Sequence, residues 1–552
     1  MKTPAVHLRW VALAAITALA AALRLVDLGS VRVDPFYDAA VRSMGMSWHN
    51  FFFGAYEPAG SVSIDKPPVD LWLQVASVKL FGWGSTQLKL PEALAGTLAV
   101  PLLYAAIRRP FGTIAGLVAA LALAVLPISV ITARSDTMDG VMMLLLVLAL
   151  LLLVRACASE RHGTAWLLGA AAALGLAFNV KLLESLVALP GLFVLAWLGL
   201  PRSASDPAGS GRAGDLQPGR AAARSWRRPA LQLLAAGAVY VVVALSWLSA
   251  TLAFPAHERP WAIGSTNGSA WNAAFVFNGT ERISGKAAEV APTRGTQPIA
   301  PPSPTRLLAR SGQLPGKWLG WEALAALALG VYALVKLARR QAERLPRATA
   351  VGLFLWLATG VVLFSEMTRL HPRYVESFTP AVAGTIGIGI GLIAAGGKRT
   401  RWLALPLTAL LALPLIWDIQ AVEGRVTDAG NVGGMAPAEQ RALSAYLLPR
   451  TRGLRYQLAA GSATTVASLI VQDQRPVLML TTYNGRPLTS VAELKRAIAR
   501  REVRYAFINS LCGPHSTRTT SGCAPAARWV RAHATDVSRQ AGLAPGVLWR
   551  LP

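Results

Sequence analysis

The stretch V-D-P-F-Y-D-A-A-V-R-S-M-G-M-S-W-H-N-F-F-F-G-A-Y-E-P-A-G-S-V-S-I-D-K-P-P, Val33 to Pro68, decides how this chain is read. It follows the first long apolar run, Trp10–Ala22, and so emerges directly from a membrane. Yet it carries Asp34, Asp38, Glu57, Asp65 and Lys66 among aromatic residues. A loop that only joins two membrane helices has no need of these charges. The stretch reads as the reactive face of a membrane-embedded protein.

The rest of the chain supplies the membrane. Of 552 residues 53% are hydrophobic and only 15% are charged, where a soluble domain carries about 25% charged residues. Apolar runs recur at Ala115–Val130, Val141–Val154, Leu231–Ala253, Ala323–Val335, Val351–Phe364, Ala381–Ala395 and Trp402–Trp417. Several approach the ~20 residues that cross a bilayer. The expected fold is a polytopic α-helical membrane protein with about eleven transmembrane helices. The first is read as an uncleaved span over 8–27, and the last as 402–417.

Residues 1–417 form the transmembrane domain in this reading, with a first outer loop over 28–88. Phe36–Asn50 and Pro67–Phe81 are expected as interfacial helices, and Phe51–Phe53 as aromatic anchors. Residues 200–229, rich in Pro, Gly, Ser and Arg, read as a disordered inside loop. Residues 254–317 form a second long outer loop with a Pro-rich later half. From 418 to 552 the composition changes. Runs of β type (Thr464–Val471, Val477–Thr482, Val503–Asn509, Val547–Leu551) alternate with helical patterns (Ser490–Arg501, Ala526–His533), the mark of a small α/β domain.

The formal net charge of +26 invites a nucleic-acid reading, but its distribution argues against one. Arg108/Arg109, Arg155/Arg161, the arginines of 202–228, Lys336–Arg347 and Lys398–Arg401 all fall in alternate connections. This is the positive-inside pattern. It sets the N-terminus in the cytoplasm of a cell-membrane protein and the C-terminal domain outside. Cys157 sits at an inner helix end, and a disulfide between Cys512 and Cys523 is compatible with the outer compartment.

Several polar clusters then fall on that one outer side. Asp34 and Asp38 lie four apart, so a helix presents both on one face. Asp34 before Pro35 fits an N-cap, and either acid fits a general base. Asp65-Lys66-Pro67-Pro68 holds a lysine rigidly beside an acid at headgroup depth, which suits a phosphate. Arg134, Asp136 and Asp139 crowd a turn between two spans, where charges are costly unless paired or functional. Lys181 and Glu184 form an i, i+3 pair, readable as a salt bridge or as cavity residues. His371, Arg373 and Tyr374 follow a later span and could meet the charge of a leaving phosphate or simply anchor at the interface. No Gly-rich phosphate loop and no His/Cys metal cluster is apparent, so a cytoplasmic nucleotide donor is disfavoured.

At these residues the chain resembles the polytopic GT-C type glycosyltransferases of the protein O-mannosyltransferase and aminoarabinose-transferase superfamily, bacterial family-39-like branch. The resemblance rests on D-P-F-Y-D-A-A-V-R-S-M, S-W-H-N-F-F-F-G-A, I-D-K-P-P, F-N-V-K-L-L-E-S, R-P-W-A-I-G-S-T-N-G-S, F-N-G-T-E-R-I and H-P-R-Y. It implies inverting transfer of a sugar from a polyprenyl-phosphate carrier in the membrane lipid to an extracytoplasmic glycan, protein or lipid acceptor. The family's first acid falls on Asp34, with Asp38 its rival because Pro35 replaces the usual second acid. Its second acid falls on Asp139, and Asp38 and Asp139 complete the catalytic candidates. Lys66, Arg134, His371, Arg373 and Tyr374 are implied to meet the donor phosphate, with Asp65, Lys181 and Glu184 beside them in the cavity. No cofactor is implied with certainty, and a divalent metal is compatible. A lipid-linked sugar transporter or flippase is the competing function. It would need polar residues through the whole membrane depth, whereas these gather on one side.

Overall fold

The computed structural model describes residues 4–201, 218–284, 301–309, 319–340, 342–368, 370–463, 465–482, 487–508 and 523–552. Most of the inside loop expected over 200–229, much of the later part of the 254–317 loop, and Cys512 lie outside the described residues. Cys523 is disulfide-bonded, and Cys157 is free and buried.

Nine segments among the described residues are long and apolar enough to cross a membrane. Two of them, Ser85–Ala124 and Gly163–Gly199, have double length, and each turns back on itself. In α5 (Ser85–Ala124) the turn falls at Gly112, with φ 85° and ψ 179°. A Cβ on Gly116 would lie 2.9 Å from the Tyr104 ring. A straight helix would hold positions 104 and 116 about 18 Å apart, so the two arms run antiparallel. In the second segment, Lys181 ends α8 (Gly163–Lys181) and meets Asp139, the first residue of α7 (Asp139–Cys157). Gly199 ends α9 (Leu189–Gly199) and packs on Cys157, the last residue of α7. α8 and α9 therefore run in opposite directions along α7, with the reversal at Leu182, whose φ is 49°. With these two reversals the nine segments run as eleven helical arms among the described residues, against about eleven transmembrane helices expected from the apolar runs.

Close contact between small residues holds the bundle. Lipid is as apolar as a leucine side chain, so helices associate through packing rather than through exclusion from water. Helix Thr379–Ala394 sets Gly387 and Gly391 against Ala115 and Ala119 of α5, and a Cβ at either glycine would come 2.5 Å from atoms of Ala115. The pair is a small-xxx-small seam on both helices. α7 is apolar on every face and lies in the middle, with Leu146, Val147, Leu150 and Val154 wholly buried. Its N-terminal amides are met by a side chain from α5. Glu92 Oε2 accepts from Gly140 N at 2.5 Å and Val141 N at 3.3 Å.

The opening loop folds as two short helices where one was expected. α2 (Pro35–Met44) ends at Gly45, and α3 (Trp48–Phe53) begins with Ser47 accepting from Asn50 N at 3.1 Å. The Phe51–Phe53 side chains pack onto protein rather than standing out as anchors. Phe51 stacks on Trp72 at 5.4 Å, and Phe53 meets Phe254 at 5.1 Å. α4 (Val69–Phe81) turns Asp70 and Gln74 inward, where both are buried. β1 (Val62–Ser63) pairs in parallel with β2 (Trp261–Ala262), joining the two outer loops.

Beyond the last span, β3 (Leu458–Ala460), β4 (Val477–Met479), β5 (Tyr505–Phe507), β6 (Thr535–Asp536) and β7 (Leu548–Arg550) form one sheet in the order β4-β3-β5-β7-β6. β4, β3 and β5 are parallel, and β7 runs antiparallel to both β5 and β6. The strand expected over Thr464–Val471 is instead overlapped by helix Ala467–Asp473, with Leu469 and Ile470 buried. A short buried apolar run does not reveal its period. This sheet unit leans on the opening loop: Tyr56 Oη donates to Ala463 O at 2.6 Å, and Arg32 donates to Ala429 O at 2.7 Å.

Candidate active site

α2 starts the site because of its first turn. Asp34 is the N-cap, accepting from Phe36 N at 3.1 Å, and Pro35 occupies the first helical position, where it costs no hydrogen bond. The other Asp34 oxygen accepts from Gly430 N at 2.9 Å, and Asp34 N donates to Asp136 at 2.9 Å. Asp38 sits one turn on. Asp34, Asp38 and Asp136 are all buried, and no cation lies within salt-bridge distance of any of them among the described residues. Burial raises the Asp34 carboxyl above the usual carboxylate range, against the pull of the Arg373 charge. Burial raises Asp38 well above it, aided by the Asp136 and Asp34 charges. Burial and Asp34 bring Asp136 to about 7. All three acids thus hold a proton more tightly than a solvent-exposed carboxylate does.

A second group is rich in cations. Lys66 Nζ lies 2.9 Å from Asp65, and Arg282 lies 3.8 Å from the same carboxylate. Arg282 also donates to Tyr374 Oη at 2.7 Å and to Asn278 Oδ1 at 3.0 Å. Asn278 in turn donates to the Asp65 carbonyl at 2.7 Å. A π-helical turn over Ala273–Thr280 carries Asn278, a geometry often found at functional sites. Burial would raise Asp65, but Lys66 and Arg282 hold it below the usual range.

Lys181 joins this group from α8. It pairs with Asp139, and with Glu184 at 3.3 Å. Thr137 Oγ1 donates to the other Asp139 oxygen at 3.0 Å. Two non-glycine residues with positive φ, Met138 (71°) and Leu182 (49°), directly adjoin Asp139 and Lys181. Such strain persists only where its surroundings impose it.

The linker after the last span connects the two groups. Gly430 binds Asp34, and Asp428 lies 3.5 Å from Arg373 Nε and accepts from Thr137 at 3.4 Å. Tyr37 marks the same convergence. Burial pushes its hydroxyl well up, and the charges of Asp65, Arg373, Asp34 and Lys181 all act on it.

Beside the cations a cavity of about 210 Å³ opens. Lys66, Lys181, Arg282 and Tyr374 line its polar end. Leu183, Leu186, Val187, Leu363, Phe364 and Met367 line the rest.

Of the residues singled out in the sequence, the structure brings together Asp34, Asp38, Asp65, Lys66, Asp139, Lys181, Glu184, His371, Arg373 and Tyr374. Arg134 is the correction. Its guanidinium donates to Leu23 O at 3.0 Å and Val26 O at 2.7 Å, at the end of α1 (Pro4–Leu25). It caps the free carbonyls of a helix C-terminus instead of facing a phosphate. His371 packs edge-on to Tyr374 at 5.2 Å. Burial and the nearby Arg373, Arg282, Lys66 and Lys181 charges hold its imidazole well below its usual range, so it serves as a neutral group rather than a cation. The sequence reading missed Asn278, Arg282 and Asp428 as site residues, and took Asp136 only as a partner for Arg134. N-G-T-E-R over 278–282 held a signal, since a buried outer loop has little reason to carry Arg beside Asn.

Comparison with known proteins bears on the class. Residues 65–208 match the family described as dolichyl-phosphate-mannose-protein mannosyltransferase. Residues 443–533 match "Putative mannosyltransferase YkcB-like, C-terminal". YycA and YkcB of Bacillus subtilis (strain 168), which carry the same kind of name, are each 34% identical over 46% of this chain. These matches span about a third of the curated relatives, 34% of YycA and 32% of YkcB. Among solved structures, ArnT from Cupriavidus metallidurans superposes with a TM-score of 0.56 at 18% identity, over 90% of this chain and 89% of that one. The same ArnT bound to undecaprenyl phosphate gives 0.55 at 17%, again over 90% and 89%. The oligosaccharyltransferase AglB from Archaeoglobus fulgidus, in complex with an inhibitory peptide and a dolichol-phosphate, gives 0.54 at 14%, over 90% and 69%. The fold likeness to ArnT and AglB and the sequence likeness to the mannosyltransferase models point the same way, to the class of polytopic membrane proteins that the chain resembles. Within it, the sequence likeness runs to the YkcB-like proteins, in both the membrane part and the C-terminal part.

Proposed function

We propose that this protein is an integral-membrane glycosyltransferase that moves a sugar, with inversion, from a polyprenyl-phosphate carrier to an acceptor outside the cell membrane. The observation that carries the reading is the cavity beside Lys66 and Arg282. Its polar end has the cations that a phosphate needs, and its apolar walls suit an isoprenyl chain. ArnT and AglB, which share the fold, have been solved with carriers of this chemistry.

The division of labour follows from the surroundings. Asp34 or Asp38 takes the proton of the acceptor hydroxyl. The freed oxygen attacks the anomeric carbon from the face opposite the phosphate. The bond from that carbon to the phosphate oxygen breaks, and polyprenyl phosphate leaves with the electron pair. Lys66, Arg282, Tyr374 and Arg373 stabilise its charge, and neutral His371 adds a hydrogen bond. Asp139 holds Lys181 in place and, with Asp65 and Glu184, keeps the cations oriented. Lipid, glycan and protein acceptors all fit this chemistry, and no step is routed through a metal. Residues 1–417 would form the transferase domain and 418–552 an extracytoplasmic cap, with the N-terminus in the cytoplasm.

The test is release of free polyprenyl phosphate from a polyprenyl-phosphate sugar by purified protein. Asp34→Asn and Asp38→Asn are compared with the wild type, with circular dichroism as the folding control. Loss of release in one of the two identifies the base. Full activity in both removes the base role from α2. Movement of intact donor across a bilayer without cleavage would favour a flippase.

A further inference from the structure

A larger cavity, of about 530 Å³, lies on the other side of β1 from the cation group. Four structural units wall it: the opening loop through Ser61 and Ser63, helix Pro218–Thr251 through Trp247 and Thr251, the outer loop through Arg259 and Trp261, and the C-terminal sheet unit through Met479 and Thr489. Its size falls within the roughly 300–1,000 Å³ of small-molecule sites. Ser63 lines it, and Asp65 lies two residues further along the chain, about 7 Å at an extended rise. The cavity is thus next to the reaction centre but separate from the lipid groove.

Its lining has a specific chemistry. Two indoles, Trp247 and Trp261, and the Phe53 ring contribute flat apolar faces. Trp247 is fixed, because its Nε1 donates to Phe52 O at 2.8 Å. Three of the lining hydroxyls have already committed their protons: Ser61 to Glu57, Thr251 to Leu248 O, and Thr489 to Met479 O. They therefore offer the cavity lone pairs only. Arg259 lines the same space and makes no ion pair among the described residues. Aromatic faces, hydroxyl acceptors and one cation without an ion-pair partner suit a saccharide that carries an anionic group.

We propose that this cavity is an acceptor subsite for an anionic saccharide, built jointly by the outer loops and the C-terminal sheet unit. The inference rests on the transferase reading for its role, though not for its binding chemistry. It also gives the C-terminal unit a function, since β4 and the segment after it close the site over the end of β1.

The test is calorimetric titration of the purified full-length protein with maltose, maltose 1-phosphate, digalacturonate and inorganic phosphate. The charged disaccharides are expected to bind at least tenfold more tightly than maltose or phosphate alone, and the better of the two identifies phosphate or carboxylate as the anion. Arg259→Ala should remove that preference and leave maltose binding as it was. Trp261→Ala should weaken all the disaccharides about tenfold. Trp261→Phe, which keeps the ring and the fold, should recover part of the loss. Disaccharide binding no tighter than phosphate, or unchanged in both Trp261 variants, overturns the proposal. Release of polyprenyl phosphate by the wild type is measured in the same preparation. Absent release with Trp261-dependent saccharide binding would sink the transferase reading and keep the cavity. Normal release without saccharide binding would do the opposite.

Discussion

Asp34 and Asp65 are both buried carboxylates of the opening loop, yet their surroundings push them in opposite directions. Asp34 is held by two backbone amides, those of Phe36 and Gly430, and its nearest charged neighbours include other acids. Asp65 is held by Lys66 and Arg282. Backbone amides and cations both lower a carboxylate's proton affinity, but at Asp34 burial outweighs the two amides and the more distant Arg373, whereas at Asp65 two adjacent cations outweigh burial. In the proposed transferase, one loop would supply a base at its start and an orienting counter-ion at its end. Burial alone would have made both acids weak. The choice of partner separates their roles.

The largest effect should come from breaking the basic side. Asp34→Asn is expected to lower kcat by two to four orders of magnitude, the usual worth of a general base. The fold should persist, because Asn caps a helix about as well as Asp. Asp65→Asn should cost only about tenfold, read mainly in donor KM, because it loosens Lys66 and Arg282 without removing them. Rates that reverse this order would invert the comparison.

Lys181→Met tests the cation side through stability. It strands Asp139 and Glu184 in a buried setting without their shared cation. Removing one partner of a buried pair typically costs about 3–5 kcal/mol. A thermal melt in detergent should show a clear drop, and an unchanged midpoint would mean that solvent reaches the pair.

The pH profile separates the two regions without mutation. Asp136 lies at about 7, and Asp34 and Asp38 are raised by burial. The base form of Asp34 or Asp38 is lost as pH falls, so kcat should drop towards tenfold per unit on the acid side of a midpoint that lies above the usual carboxylate range. Stability should move the other way. These acids bind protons more tightly in the folded chain than in the unfolded one, so their contribution is full at low pH and is lost as pH rises from the unfolded carboxylate range through each folded value, about 7 for Asp136. Activity and melting temperature measured across pH 5–9 should therefore slope in opposite senses.

Much of this was legible in the sequence, and the exceptions have physical causes. Apolar runs marked the long membrane-type helices, because lipid demands long apolar helices whatever their packing. Asp34 and Pro35 announced the α2 cap locally. Arg134 misled because its neighbours in sequence are acids, while its partners are α1 carbonyls more than a hundred residues away. Arg282 and Asp428 reach the site only through the tertiary fold, one from a π-helical turn and one from a linker. No local period or spacing encodes such contacts. Thr464–Val471 misled for another reason: its apolar run is too short to show whether its period is 2 or 3.6.

The linker residue Asp428 offers the smallest expected effect and the finest test of the boundary between the two regions. It touches both, through Thr137 beside Asp139 and through Arg373, and its neighbour Gly430 binds Asp34. Arg373 also has a buried Nη1 without a hydrogen-bond partner among the described residues. Asp428 thus orients a guanidinium whose other nitrogen is left to a phosphate. If that is its only role, Asp428→Asn keeps the contact but removes a competing negative charge. Donor KM should then fall by roughly twofold to threefold with kcat unchanged, in keeping with the ~0.5 kcal/mol scale of weak ion pairs. If instead kcat falls and the pH profile shifts, Asp428 acts with Asp34 and Asp136, and the basic region extends across the linker.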